Sequence, residues 1–186
     1  MINRERVHLI HGGHKGAEAE FGVAAGKWGL KETTLSYEGH NMARSENVEV
    51  LSDDELAKGR VSMEFVFQRM GRRFIQGKGM SRIIHLLFHV VVRSDELFTI
   101  GSVQANGTVK GGTGWGVELA KLFNRPVHVF DQEKEGWFRW AGSAWEAHEP
   151  ILPEGKVAVT GTRNLTDAGR QAINELFERS LGPATA

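Results

Sequence analysis

No cysteine occurs among the 186 residues. That removes disulfides, Cys-ligated zinc, iron–sulfur clusters and thiol nucleophiles. No excess of one charge is present either: 23 Lys and Arg meet 23 Asp and Glu, for a formal net charge of zero. Holding nucleic acid by bulk charge needs a basic surplus, so no nucleic-acid partner is expected. No stretch reaches the ~18 apolar residues of a membrane span. The most apolar segment, Ile83 to Val92, is broken by His85 and His89. The first eight residues hold no apolar run of signal-peptide length, so a cytoplasmic protein without a membrane partner is the expectation. Proline is scarce, at 4 residues, whereas glycine is abundant at 23, roughly 12% against a usual ~7%. The glycine excess is therefore not a disordered tract. A chain of this length suits one domain, residues 1–186, and buries roughly 70% of the surface its unfolded form exposes.

Strand and helix signals alternate along the chain. Val7 to His11 reads as a buried strand that stops at Gly12-Gly13, and Ala17 to Trp28 as a helix ended by Gly29. Thr33 to Tyr37 reads as a strand and 38–52 as a long polar loop. Ser52 lies three residues before Glu55, a capping pattern. The spacing of Met63, Phe67, Met70 and Phe74 predicts a helix over Val61 to Phe74. Further helices are expected over Ser81 to Arg93, Gly114 to Phe123 and Asp167 to Arg179. Strands are expected at Leu97 to Ile100, Pro126 to Phe130 and Val157 to Thr160, with a small hairpin through Trp137, Trp140 and Trp145. Strand, glycine turn and helix in repeated order predict an α/β fold with a mainly parallel sheet.

Three glycine turns stand where strands hand over to helices: His11 to Glu18, Lys110 to Glu118, and Thr160 to Arg163. In a parallel sheet such turns share the carboxyl edge, where ligands bind. Glycine admits close approach of backbone to ligand, and amides at a helix start attract anions. Lys15, Lys110 and Arg163 add positive charge. The composite reads as a site for a phosphate-bearing small molecule, most plausibly a nucleotide. The bland alternative is that the glycines only make tight turns. The spacing is neither that of the P-loop nor that of the dinucleotide fingerprint.

The second turn, Gly111-Gly-Thr-Gly-Trp-Gly-Val-Glu118, resembles the Pro-Gly-Gly-x-Gly-Thr-x-x-Glu signature of the LOG-type lysine decarboxylase-like proteins of the SLOG superfamily. Lys110 stands where that signature has Pro, and Trp115 where it has Thr. The first turn, His11-Gly-Gly-His-Lys-Gly-Ala-Glu18, is similar to the His-Gly-Gly-Ala-x-Gly-Ala-Asp pattern of the YspA/DprA-like branch. There a strand ending Gly-Ser-Arg precedes the motif, whereas here Val157 to Arg163 comes last, so the chain looks like a circularly permuted, YpsA-related member. The resemblance implies a Rossmann-like three-layer α/β/α domain with permuted strand order, and a homo-oligomer is expected. LOG members are phosphoribohydrolases that cut the N-glycosidic bond of nucleoside monophosphates. The superfamily also holds nucleotide sensors, so a non-catalytic binding or sensing module is the alternative.

Expected ligand contacts are Gly12, Gly13, Lys15, Gly16, Gly111, Gly112, Thr113, Gly114, Asp131, Gly161, Thr162 and Arg163, with Glu118 as the catalytic carboxylate. Glu118 is one turn into its helix, where it would face the pocket and stabilise a cationic ribose or activate water; its other reading is a charge favourable to the helix N-terminus. Arg163 and Lys15 would pair with phosphate or form surface ion pairs. Asp131 would hold ribose hydroxyls or begin a turn. His8, His11 and His14 do not share a strand face, and His85 and His89 lack a zincin glutamate. No metal or cofactor is expected. Seven basic residues and one acid between Lys58 and Arg82 read as a solvated helix face sooner than a phosphate-facing one. The three tryptophans would stack on a base or fill a hairpin core or a dimer contact.

Overall fold

A computed structural model describes residues 2–73 and 77–184. After a short 3-10 turn at Arg4–Arg6, strand β1 (Val7–His11) leads into helix α1 (Ala17–Trp28). Strands β2 (Lys31–Tyr37) and β3 (Val48–Leu51) follow, then helices α2 (Asp53–Ala57), α3 (Arg60–Arg69) and α4 (Lys78–Val92). Strand β4 (Glu96–Gly101), helix α5 (Thr113–Leu122) and strand β5 (Val127–Asp131) form the next unit. A hairpin of β6 (Gly136–Trp140) and β7 (Trp145–Ala147) precedes β8 (Gly155–Gly161) and α6 (Asp167–Leu181).

Among the described residues, eight strands form one sheet in the order β3-β2-β1-β8-β4-β5-β6-β7. The six from β3 to β5 pair in parallel, and β6 and β7 add antiparallel at one edge. The protein is thus an α/β domain with a largely parallel mixed sheet. Strands covered on both faces need apolar residues at nearly every position. In β1, Val7 and Leu9 join Phe21 of α1 and Ile173 and Phe177 of α6 in one core. Ile10 points to the other face, where Leu86 and Val90 of α4, Met63 and Phe67 of α3 and Val117 of α5 pack together. Among the described residues no helix is long and apolar enough to cross a membrane.

Several boundaries have visible causes. Helix α1 stops at Gly29, whose φ of 69° lets its amide turn back to the carbonyls of Ala25 and Gly26. Ser52 and Glu55 form a complete capping box at α2. Two expectations change. The polar segment 38–52 contains β3, a four-residue edge strand with three exposed residues, paired in parallel with β2. Helix α3 ends at Arg69, before Gly71 at φ 64°; Met63 and Phe67 are buried as expected, and Phe74 lies outside the described residues.

The centre and the edge of the sheet set a stability contrast. Phe98 on β4 is fully buried, while Val50 on β3 is 62% exposed. Phe98→Ala should cost ~3–5 kcal/mol, and Val50→Ala less than about 0.5 kcal/mol. Urea denaturation of both variants measures this; similar losses for the two would refute the core assignment.

Candidate functional site

The order of the strands brings three strand ends side by side. β8 lies between β1 and β4 and runs parallel to both, so the turns after all three open at the same carboxyl edge. A cavity of about 540 Å³ lies there, within the ~300–1,000 Å³ range of small-molecule sites. Its floor is Gly12, Gly101, Thr160, Gly161 and Thr162. Lys110, Gly111, Gly112 and Thr113 come from the turn into α5, and Arg163 and Asn164 from the turn into α6. The opposite wall is apolar: Met80, Ile83, Leu86, Leu87 and Val90 of α4, with Trp115 of α5.

The first glycine turn closes on itself. Glu18, 5% exposed, reaches back over the start of α1. Its Oε2 accepts the amides of Gly12 at 3.2 Å and His14 at 3.0 Å, and His14 Nδ1–H at 2.9 Å. Its Oε1 accepts the Thr160 hydroxyl of β8 at 3.0 Å. Burial alone would raise the pKa of Glu18; the charge and hydrogen bonds of His14 outweigh burial and hold it at about 2. Burial would lower His14, but the adjacent carboxylate raises it, against the opposing charge of Arg163. His14 Nε2 meets His40 Nε2 at 2.9 Å, and His40 Nδ1 meets Ser36 Oγ at 3.2 Å. His40 is held down to about 4 by burial and by the charge of His14.

Behind this chain sits a second buried pair. His11 Nδ1 accepts the Gly13 amide at 2.9 Å, so Nε2 carries the proton that goes to Glu32 at 2.7 Å. Arg44 grips Glu32 with two prongs, at 2.6 and 2.7 Å. The segment bearing Arg44 lies on the turn: the amides of Ala43 and Arg44 both donate to Gly13 O. A Cβ at Gly13, whose φ is 70°, would come within 2.1 Å of Arg44 O, so this glycine is needed for close packing.

The turn into α5 differs. Gly112 caps the helix without a side-chain hydrogen bond. The amides of Gly111, Gly112 and Thr113 have no acceptor among the described residues. Lys110 and Arg163 have no ion-pair partner among the described residues, and both line the cavity. Open helix-start amides with nearby cations make an anion site.

Compared with protein families, curated proteins and solved structures, the chain has no match.

Of the expected residues, Gly12, Gly111, Gly112, Thr113, Gly161, Thr162 and Arg163 line the cavity. Gly13, Lys15, Gly16, Gly114, Asp131 and Glu118 are not in its wall. A Cβ at Gly16 would meet Thr162 O at 2.4 Å, and one at Gly114 would meet Val109 O at 2.1 Å; both serve packing between turns. Asp131 accepts the amides of Val103, Glu133 and Lys134, which makes it a turn anchor. Glu118 departs from the expected projection into the ligand space. It is bound by Lys121 at 2.8 Å, with Arg69 at 3.8 Å. Lys121 in turn lies 3.7 Å from the ring centre of Trp140 and 5.0 Å from that of Trp145. Two of the tryptophans thus enclose a lysine, while Trp137 is buried in the core beside α6.

Glu18, His14 and Gln132 also line the cavity, and His40 lies behind His14; none of the four is among the residues expected from the sequence. Glu18 and His14 lie within the first glycine turn, so their signal is present in the sequence. His40 is 26 residues from His14 and carried none.

The histidines give stability a pH signature. His40, with a folded pKa near 4 against 6.5 unfolded, contributes stability that is present above pH 6.5 and lost as pH falls towards 4. Several other histidines shift the same way, so His40→Gln should flatten the acid decline of the thermal midpoint without abolishing it. An unchanged slope between pH 6.5 and 4 would contradict the placement of His40 beside a charged His14.

Proposed function

We propose that the cavity binds a nucleotide-derived ligand, a nucleoside monophosphate or a related phosphate-bearing small molecule. One observation carries the reading: three open amides of the α5 turn, with Lys110 and Arg163, share a cavity with an apolar wall. A phosphate on the amides would meet both cations, and the planar base would lie along Ile83, Leu87 and Trp115. Phosphate binding falls to the α5 turn because Glu18 already takes the amides of Gly12 and His14.

The finer description of the fold belongs to the same proposal. The strand that ends in Thr160-Gly-Thr-Arg163 lies beside β1, parallel to it. That adjacency supports a Rossmann-like domain whose strand order is circularly permuted relative to the resembled branch.

Turnover is the further step, with cleavage of the N-glycosidic bond as its chemistry. A non-catalytic binding or sensing module is the second reading, favoured by one observation: the carboxylate of Glu118 is engaged by Lys121.

Calorimetric titration with the common nucleoside 5′-monophosphates and their nucleosides tests the binding reading. Losing a charge-assisted contact costs ~1.5–3 kcal/mol. Arg163→Ala should therefore weaken a monophosphate roughly tenfold to a hundredfold and leave its nucleoside unchanged. Equal losses would remove Arg163 as the phosphate ligand. A wild-type protein that binds no monophosphate would overturn the proposal.

A further inference from the structure

A second concavity lies at the opposite edge of the sheet and shares no lining residue with the first. Its volume is about 780 Å³, and it sits at the amino ends of β4 and β5, where Glu96 and His128 lie. The end of α3 contributes Arg69, the last turn of α5 contributes Lys121, and the connection from α5 to β5 contributes Arg125. The hairpin closes it with Arg139 and Trp140 of β6.

The charges of this wall do not balance. Lys121 is held by Glu118 at 2.8 Å, and Arg139 by Glu146 at 3.1 Å. Glu96, the one carboxylate among the described residues of the wall, meets His128 Nε2 at 2.9 Å. Two guanidiniums are left over. Arg69 comes only within 3.8 Å of Glu118, which Lys121 already holds. Its side chain is 51% exposed and makes no hydrogen bond among the described residues. Arg125 is half-buried and has no ion-pair partner among the described residues. Its Nη2 reaches Val92 O at 3.4 Å, its Nε is buried without a partner, and its Nη1 makes no hydrogen bond among the described residues. His128 Nδ1, in the same wall, is a second buried nitrogen without a partner. Such atoms are few in a folded protein, and an ion or water that belongs there is one of their ordinary causes. A charge half withdrawn from water is costly until a counter-ion meets it.

We propose that this cleft is a second binding site, for a small polyanion that carries at least two phosphate or carboxylate groups. Arg125 takes one group and Arg69 another, because the planar guanidinium fork matches the oxygens of both kinds of anion. Two unmatched guanidiniums call for two anionic groups rather than one. The volume, larger than that of the first cavity, leaves room for the atoms that join them. Glu96 repels an anion placed close to His128, so the arginines and not the imidazole are the contacts. The proposal is independent of the nucleotide reading, since Lys110 and Arg163 belong to the cavity at the other edge.

Calorimetric titration of the full chain with tripolyphosphate and with citrate tests this, in an Arg163→Ala background that weakens the first cavity for anions. At least one of the two probes should bind, one molecule per chain, and which one does so separates phosphate from carboxylate as the recognised group. Arg125→Gln and Arg69→Gln should each weaken that probe roughly tenfold or more. Arg125→Lys should lose less than Arg125→Gln, because the charge stays while the fork goes. Arg6→Gln removes an exposed arginine outside the cleft, paired with Glu154, and should leave the affinity unchanged. Thermal midpoints show whether each variant is folded; should Arg125→Gln unfold, Arg69→Gln decides, since that side chain is half exposed. An equal loss in Arg6→Gln would reduce the effect to the field of the whole protein and overturn the site. Failure of both probes to bind, or undiminished affinity in the folded arginine variants of the cleft, would overturn it as well.

Discussion

Glu18 lies where four groups from two strands need an acceptor. The amides of Gly12 and His14 leave β1 without a sheet partner, Thr160 is buried at the end of β8, and the Nδ1 proton of His14 points inward. Buried donors without acceptors are costly, commonly ~1–3 kcal/mol each. One carboxylate satisfies all four and ties the ends of two neighbouring strands together. It remains ionised because its donors outweigh the penalty of burial. The raised basicity of His14 depends on this group being an anion.

That placement divides the work among glycine turns that look alike in sequence. The α1 turn is filled by the protein's own negative charge, so a second anion there would meet repulsion. The α5 turn has no such internal occupant among the described residues: Glu118, the acidic residue of its first turns, is turned aside by Lys121, which two indole rings hold. Arg163 stands between the two turns in effect, opposing the protonation of His14 while lining the cavity. An anion neutralising Arg163 would relieve that opposition and raise the basicity of His14 further. The charge of Arg163 and the protonation of His14 are therefore coupled.

Much of the fold was legible because local signals agreed with the final packing. The run Val7 to His11, the helix Ala17 to Trp28 with its glycine stop, and the capping box at Ser52 each formed as their residues dictate. Strand β3 was not legible, since Val48-Glu-Val-Leu51 is too short an alternation to stand out from the polar segment before it. The site was legible to the level of its turns and not to that of its side chains. Glycine spacing located Gly12, Gly111, Gly112 and Gly161 at one edge, but which way Glu118 turns is settled by Lys121, three residues on, and by a hairpin beyond β5. His40 reaches His14 only because the segment after β2 folds back on Gly13, a contact between backbone atoms that no side-chain pattern records.

The late position of β8 in the chain has a physical consequence for the site. Strand β1 is followed by neighbours on one side, β2 and β3, and strand β4 by neighbours on the other, β5 to β7. The gap between β1 and β4 is filled last in sequence, by a strand that contacts both through parallel ladders. Thr160 from that strand completes the shell of Glu18, and Gly161 admits no side chain because a Cβ there would press on Ala17 and on the backbone of Ile100. The Thr160–Glu18 contact and the cavity floor thus exist only once β8 is seated. A chain lacking its last strand would keep both halves of the sheet's sequence and lose the Thr160 contact, the floor and Arg163 together, which makes β8 the element on which the chemistry of the carboxyl edge converges.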